Sequence, residues 1–288
     1  MAIKKVEMVV APREPHFVGD GFRVHNFIPG AYLMERMDPF IMLDYNSAYY
    51  FPPSSAPKGV GVHPHRGFET VTIAYKGSVA HNDSSGGGGV IGEGDVQWMT
   101  AASGVLHKEF HEEKFSREGG EFQMVQLWVN LPASEKMSKP KYQAISNKEM
   151  KRVDLGGGNN YIEVIAGTFM NITGPATTFT PVNMMNAKLT KGGKADFDFP
   201  ADYTTALLVI AGNINVNGKK AETDHFVLFE NVGETFNIEA LDDAIVLVLS
   251  GKPINETIVS HGPFVMNTRE EIAQAFKDYN EGKFGYLE

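Results

Sequence analysis

Short runs of β-branched and aromatic residues, each closed by a turn signal, recur along this chain, and one segment alone carries a clear helical period. Residues 68–75 (FETVTIAY) end at Gly77, residues 90–91 follow the glycine run at 86–89, and residues 96–99 follow Gly94 and Asp95. Residues 122–131 (FQMVQLWVNL) alternate, with Met124, Gln126 and Trp128 on one face and Val125, Leu127 and Val129 on the other; Pro132 ends the run. Further strands are expected at 161–166, 184–189, 206–210, 214–216, 226–229 and 244–249. The 30 glycines and 15 prolines are spread along the chain, which suits turns rather than disorder. Helices do not alternate with these strands, so a parallel sheet is disfavoured. The expected fold class is all-β: two tandem antiparallel β-barrels with a C-terminal helix.

Two barrels also fit the length, since 288 residues correspond to about two domains at roughly 150 residues each. A faint internal repeat supports them. YKGSV (75–79) resembles IAGNI (210–214), and GDVQW (94–98) resembles TDHFV (223–227). The expected division is an N-terminal barrel over 1–132, a linker over 133–143 and a second barrel over 144–288. Lys136, Lys139 and Lys141 are read as side chains of a solvated connector. The helix begins at Thr268, whose spacing to Glu271 is that of a capping box. Ile272, Ala275, Phe276 and Tyr279 form its stripe, and Gly282 stops it. The stripe is expected to pack on a barrel, with docking across to the other domain left open.

Several classes are excluded early. The chain has no cysteine, which removes disulfides, thiolate metal sites and a cysteine nucleophile. Its net charge of −9 argues against direct nucleic-acid binding. The apolar stretch at 6–11 is short and broken by Glu7, unlike a signal peptide, and no run approaches the roughly 18 apolar residues of a membrane span. A soluble, cytoplasmic protein is expected, and a monomer.

Any metal must then be held by histidine and carboxylate. His63, His65, His81, His107 and His111 crowd one part of the first half. His63-Pro64-His65 and His107-Lys108-Glu109 share a format of ligand, spacer, ligand, and in a strand positions i and i+2 point the same way. Two such strands facing each other could converge three imidazoles and a carboxylate on one ion. That set suits iron(II), manganese, nickel, copper or zinc and leaves room for substrate or oxygen. Hydrogen-bonded barrel histidines are the plainer alternative, but burying such a set at one point without an ion is costly. His81 is expected to hydrogen-bond Asp83 at a loop end, and His111 to be exposed beside Glu112, Glu113 and Lys114. The glycine run at 86–89 reads as a hairpin turn, and Phe68 and Trp98 as core.

The residues around these pairs resemble the pirin family of the cupin superfamily. HPHRGFET (63–70), GDVQWMTA (94–101), SGVLHKE (103–109), QLWVNLP (126–132), Lys136-Met137, KPKYQ (139–143), HGPFVMNTREEI (261–272) and GKFG (282–285) carry the resemblance across nearly the whole chain. It implies a jelly-roll-like bicupin with one metal in the N-terminal barrel, iron(II) held by His63, His65, His107 and Glu109. Glu69 occupies the acidic position of the general cupin pattern and is assigned a supporting or structural role. Aligning the repeat puts Asp198 and Pro200 near the places of His63 and His65, and Phe236 and Ile238 near those of His107 and Glu109. The second barrel therefore lacks a ligand set. Two functions follow from the resemblance. One is a quercetin 2,3-dioxygenase-like enzyme, opening a small phenolic substrate with oxygen and releasing carbon monoxide, with Glu109 as general base. The other is a redox-responsive regulator acting through a protein partner. A metal-free, purely structural bicupin is the weakest reading.

Overall fold

The computed structural model describes residues 2–30 and 33–288, in two compact units. The histidine-bearing unit comprises Glu14–Asn147 and Ile254–Glu288; the other comprises the N-terminal residues through Arg13 and Lys148–Pro253. The expected halves, 1–132 and 144–288, depart from this division at both ends of the chain. Strand Val6–Val10 pairs with Phe226–Phe229, and the C-terminal segment packs on the first-half strands. The physical reason is sheet edges: an unpaired strand edge is unfavourable, and in each unit it is covered by a segment remote in sequence or lying beyond the expected boundary.

Each unit holds one seven-stranded and one four-stranded antiparallel sheet. In the histidine-bearing unit the large sheet runs Lys141–Ile145, Val96–Thr100, Phe68–Lys76, Gly120–Asn130, Phe40–Phe51, Phe22–Ile28, His16–Val18. Its small sheet runs Gly59–His65, Val105–His111, Val79–Asp83, Gly88–Ile91. The second unit repeats both orders strand for strand: Val6–Val10, Phe226–Phe229, Thr204–Ala211, Ala244–Gly251, Val182–Leu189, Tyr161–Ala166, Lys151–Asp154 in the large sheet, and Lys194–Asp198, Thr235–Ala240, Ile214–Val216, Lys219–Ala221 in the small one. The all-β two-barrel class is thus observed, and the faint sequence repeat is a repeat of topology.

The expected linker is structured. Lys141–Ile145 is an edge strand paired with Val96–Thr100. Lys136 is buried, and its ammonium donates to the carbonyls of Gly67 and Val265 at 2.7 and 3.0 Å and to Asn130 Oδ1 at 2.7 Å. It is a clamp between three segments; only Lys139 and Lys141 are exposed as expected.

The helix spans Arg269–Asn280 with both halves of the capping box formed by Thr268 and Glu271. Ile272 and Ala275 are buried and Phe276 packs with them, while Tyr279 is exposed and Asp278 buried in its stead. The helix is rotated toward Asp278 because that carboxylate meets Arg66 at 2.8 Å. Its stripe packs within the histidine-bearing unit. Among the described residues no helix is long and apolar enough to cross a membrane.

Candidate metal centre and its cavity

The two ligand-format pairs sit on neighbouring antiparallel strands of the small sheet, His63 directly opposite His107, rather than on facing strands. Alternation sends His63 and His65 to one face, with their ring centroids 4.9 Å apart. His107 completes a triangle at 4.2 Å from His63 and 4.6 Å from His65. The nitrogens of these three lie within 4.8 Å of one another, close enough for one ion.

Glu109 enters differently. The ladder with Gly59–His65 slips between His107 and Glu109, so that Glu109 faces Val60 there, while the regular ladder with Val79–Asp83 sets it opposite His81. Its carboxylate therefore groups with His107 and His81 in a second donor triad, again within 4.8 Å, that shares His107 with the first. Both Glu109 oxygens are held: Thr72 Oγ1 donates to Oε1 at 3.3 Å, and Gln126 Nε2 donates to Oε2 at 3.0 Å.

The surroundings fit a metal. Burial, reinforced by the neighbouring imidazoles, pushes His65 and His107 well below the ordinary histidine pKa, so both are neutral with a lone pair to offer. Neither ring nitrogen of His107 has a hydrogen-bond partner among the described residues, although both are buried. An ion satisfies one of them, whereas an orphaned pair costs desolvation energy for nothing. Outer contacts aim the other two rings. His63 Nδ1 meets the Gly61 carbonyl at 2.8 Å and His65 Nδ1 the Pro263 carbonyl at 3.4 Å, which leaves Nε2 of each free.

His81 is the residue that sequence reasoning undervalued. It meets Asp83 at 3.4 Å as expected, yet it is wholly buried, its Nδ1 lies 3.9 Å from Glu109, and it stacks on Tyr142. Burial pushes Asp83 up, but hydrogen bonds from His81, Ser85 and Gly87 outweigh it and hold the carboxyl low. Asp83 therefore stays ionised, ready to accept from His81. The available signal was the alternation in VAHND, which places His81 and Asp83 on one face. His111 is a correction. It is buried, bonds the Gly21 carbonyl at 2.8 Å and is ringed by Phe22, Phe51, Phe115 and Phe122. It continues the inward face of His107 and Glu109, which outweighs its charged sequence neighbours. Glu69 lies on the opposite face of its strand from Thr72 and accepts from Thr100 Oγ1 at 2.7 Å.

A cavity of about 370 Å³ opens onto His63, His65 and Glu109, within the range of small-molecule sites. Its other wall comes from the large sheet: Phe22 and Val24, then Met42, Asp44 and Asn46, then Met124, Gln126 and Trp128. The last three are the face expected from alternation. Trp128 stacks on Phe68 at 4.1 Å and meets His65 edge-on at 5.1 Å. The corresponding interior of the second unit is apolar. Phe197 faces Phe236 where His63 faces His107, their rings stacked 5.0 Å apart, and Val216 and Ile238 join the same core. Phe236 and Ile238 fall where the repeat put them; on the partner strand Phe197, one residue before Asp198, takes the facing position.

Comparison with known proteins agrees with this picture. The pirin family model matches residues 21–129, and the model of the pirin C-terminal cupin domain matches residues 184–285. The chain belongs to the pirin family. All five clustered donors lie within the first pirin match, and the Phe197–Phe236 stack within the second. Relatives include a Pseudomonas aeruginosa protein provisionally named quercetin 2,3-dioxygenase, 44% identical with 98% of this chain and 99% of that protein covered. Human pirin is 35% identical, with 98% and 94% covered. The crystal structure of quercetin 2,3-dioxygenase from Acinetobacter baumannii superposes with a TM-score of 0.94 at 47% identity, covering 100% of both chains.

Proposed function

We propose that this chain is an iron(II)-dependent flavonol 2,3-dioxygenase of the quercetinase type, with His63, His65, His107 and Glu109 as its metal ligands. The observation that carries the reading is the imidazole triangle, of which His63 and His65 open, with Glu109, onto a cavity of about 370 Å³ walled in part by Phe22 and Trp128. The likeness to quercetin 2,3-dioxygenases at 44–47% identity supports it. The ion supplies Lewis-acid stabilisation of a deprotonated hydroxyl and the redox chemistry that oxygen requires. The chain's own residues do the rest. Glu109 accepts the proton of the flavonol hydroxyl, the step that turns a neutral phenolic ligand into an electron-rich anion. Thr72 and Gln126 hold the two carboxylate oxygens in place. Phe22, Val24, Met42, Met124 and Trp128 bury the flat ring system and exclude bulk water. The heterocycle takes up both oxygen atoms and loses one carbon as carbon monoxide, and Glu109 returns its proton to the ring-opened product.

The test is anaerobic iron loading followed by addition of oxygen and quercetin. Oxygen uptake with stoichiometric carbon monoxide is expected, abolished in His65→Ala. Full iron loading without turnover across a flavonol panel would overturn the enzyme reading and turn attention to regulation through a protein partner.

A further inference from the structure

The large-sheet wall of the cavity carries two polar side chains that the proposed chemistry does not use. Asn46 is 1% exposed, and neither its Nδ2 nor its Oδ1 has a hydrogen-bond partner among the described residues. Such an amide costs free energy in the resting protein unless something entering the cavity satisfies it. Asp44, two residues earlier on the same face of Phe40–Phe51, accepts from Asn26 Nδ2 at 2.7 Å through Oδ1. Both residues line the cavity between apolar neighbours, Val24 on one adjoining strand and Met124 on the other. Asp44 stands directly across the ladder from Gln126, the residue that holds Glu109, and Asn46 across from Met124, one pair further along. Polar groups thus occur on two walls of one apolar slot: the imidazoles and Glu109 on the small sheet, Asp44 and Asn46 on the large one.

We propose that Asp44 and Asn46 form a hydroxyl-reading pole that selects planar aromatic substrates bearing adjacent hydroxyl groups at the end remote from the metal-chelating oxygens. The chemistry matches group by group. A vicinal diol on an aromatic ring offers two O–H donors and their acceptor oxygens. Asp44 and the Asn46 carbonyl take the donors, and the Asn46 amide donates to an oxygen. A site built around buried polar groups rejects an analogue that lacks their partners far more strongly than an apolar pocket does. This inference rests on the flavonol reading for which end of the ligand faces the histidines, but not on turnover.

The experiment is an argon-purged equilibrium titration of the purified full-length protein with quercetin and with 3-hydroxyflavone, which keeps the chelating oxygens and lacks the distal diol. Quenching of tryptophan fluorescence reads binding without oxygen-dependent chemistry. The wild type is expected to bind quercetin at least about tenfold more tightly. Asp44→Asn and Asn46→Leu should each remove most of that preference while leaving 3-hydroxyflavone affinity within about twofold. Asp44→Asn conserves shape, so it reports even if the Leu variant folds poorly. Equal affinities in the wild type, a preference retained in both variants, or no binding of either ligand would overturn the proposal. A preference lost as expected in a protein that never releases carbon monoxide would support this pole while refuting the dioxygenase reading. Loss of the preference without a fall in melting temperature separates ligand reading from a merely structural role.

Discussion

Removing the carboxylate of Asp278 should loosen both the C-terminal segment and the metal centre. Arg66 follows His65 directly, and its guanidinium is 4% exposed. It donates to the Ser103 carbonyl at 2.7 Å and to Asp278 at 2.8 Å, and it lies 4.7 Å over the Phe284 ring. Asp278 also accepts from Gln274 and Lys283, each at 2.8 Å, and the bonds from Lys283 and Arg66 hold its carboxyl well below the usual carboxylate range. Lys283 is 55% exposed, so its share is small. Arg66 decides the magnitude: Asp278→Ala leaves a buried guanidinium without its counter-charge, which costs about 3–5 kcal/mol. At about 2–4 °C per kcal/mol for a unit of this size, the melting temperature should fall by roughly 6–20 °C. The same segment supplies the Pro263 carbonyl to His65 Nδ1, and its Val265 carbonyl lies so close to Gly67, at φ +90°, that a side chain there would overlap it. Loss of this outer contact should weaken metal binding by about 10–100-fold. Thermal melts with and without added iron, and a chelator competition, measure the two effects. The double variant Arg66→Met/Asp278→Leu, which removes both charges, should recover most of the stability. A single variant within about 1 kcal/mol of wild type, or a double variant no better than the single, would refute the electrostatic argument.

Three further outcomes are expected. Burial pushes the Glu69 carboxyl from 4.5 up to about 7 against the Thr100 hydrogen bond, so the folded state holds a proton that the unfolded chain releases earlier. Stability contributed by this group is present below about pH 4.5 and is lost as pH rises through 7, by about 3 kcal/mol in all at 1.36 kcal/mol per pKa unit. Glu69→Gln should therefore melt above wild type at pH 7.5, with the difference shrinking toward pH 5; a constant difference across that window would refute it. His107→Leu should leave the metal-free protein at least as stable as wild type, because it removes two orphaned ring nitrogens, while losing the stabilisation that iron confers on wild type; melts with and without iron decide it. Asn46→Leu should stabilise the ligand-free protein by about 1–3 kcal/mol, the cost of its unpartnered amide, and a denaturant midpoint that falls instead would show a partner in the resting state.

What the sequence revealed and what it hid divide along the range of the interactions. His63 with His65, and His107 with Glu109, were legible because alternation within one strand is local. The slip between His107 and Glu109 was not, since a bulge is a property of two strands: it sets Glu109 opposite Val60, while the unbroken ladder on the other side sets it opposite His81. The same limit concealed Asp44 and Asn46, whose strand carries polar residues on its inward face at Asp44 and Asn46 and so breaks the pattern by which an inward face is recognised. Tyr279 and Asp278 exchanged places because the partner of Asp278 lies more than two hundred residues away. The second unit argues the converse. Its strand order is that of the first, and the glycine turns that made the repeat visible, Gly77 and Gly212, both have positive φ. Phe197 and Phe236 nonetheless fill the places that His63 and His107 hold in the first unit, and Val216 that of His81. Turns and alternation set the topology, while the interior side chains decide whether it encloses a metal or a dry core. A metal returned to the second unit would therefore have to displace the close-packed rings of Phe197 and Phe236, each replaced by an imidazole that bears its burial cost until the ion arrives.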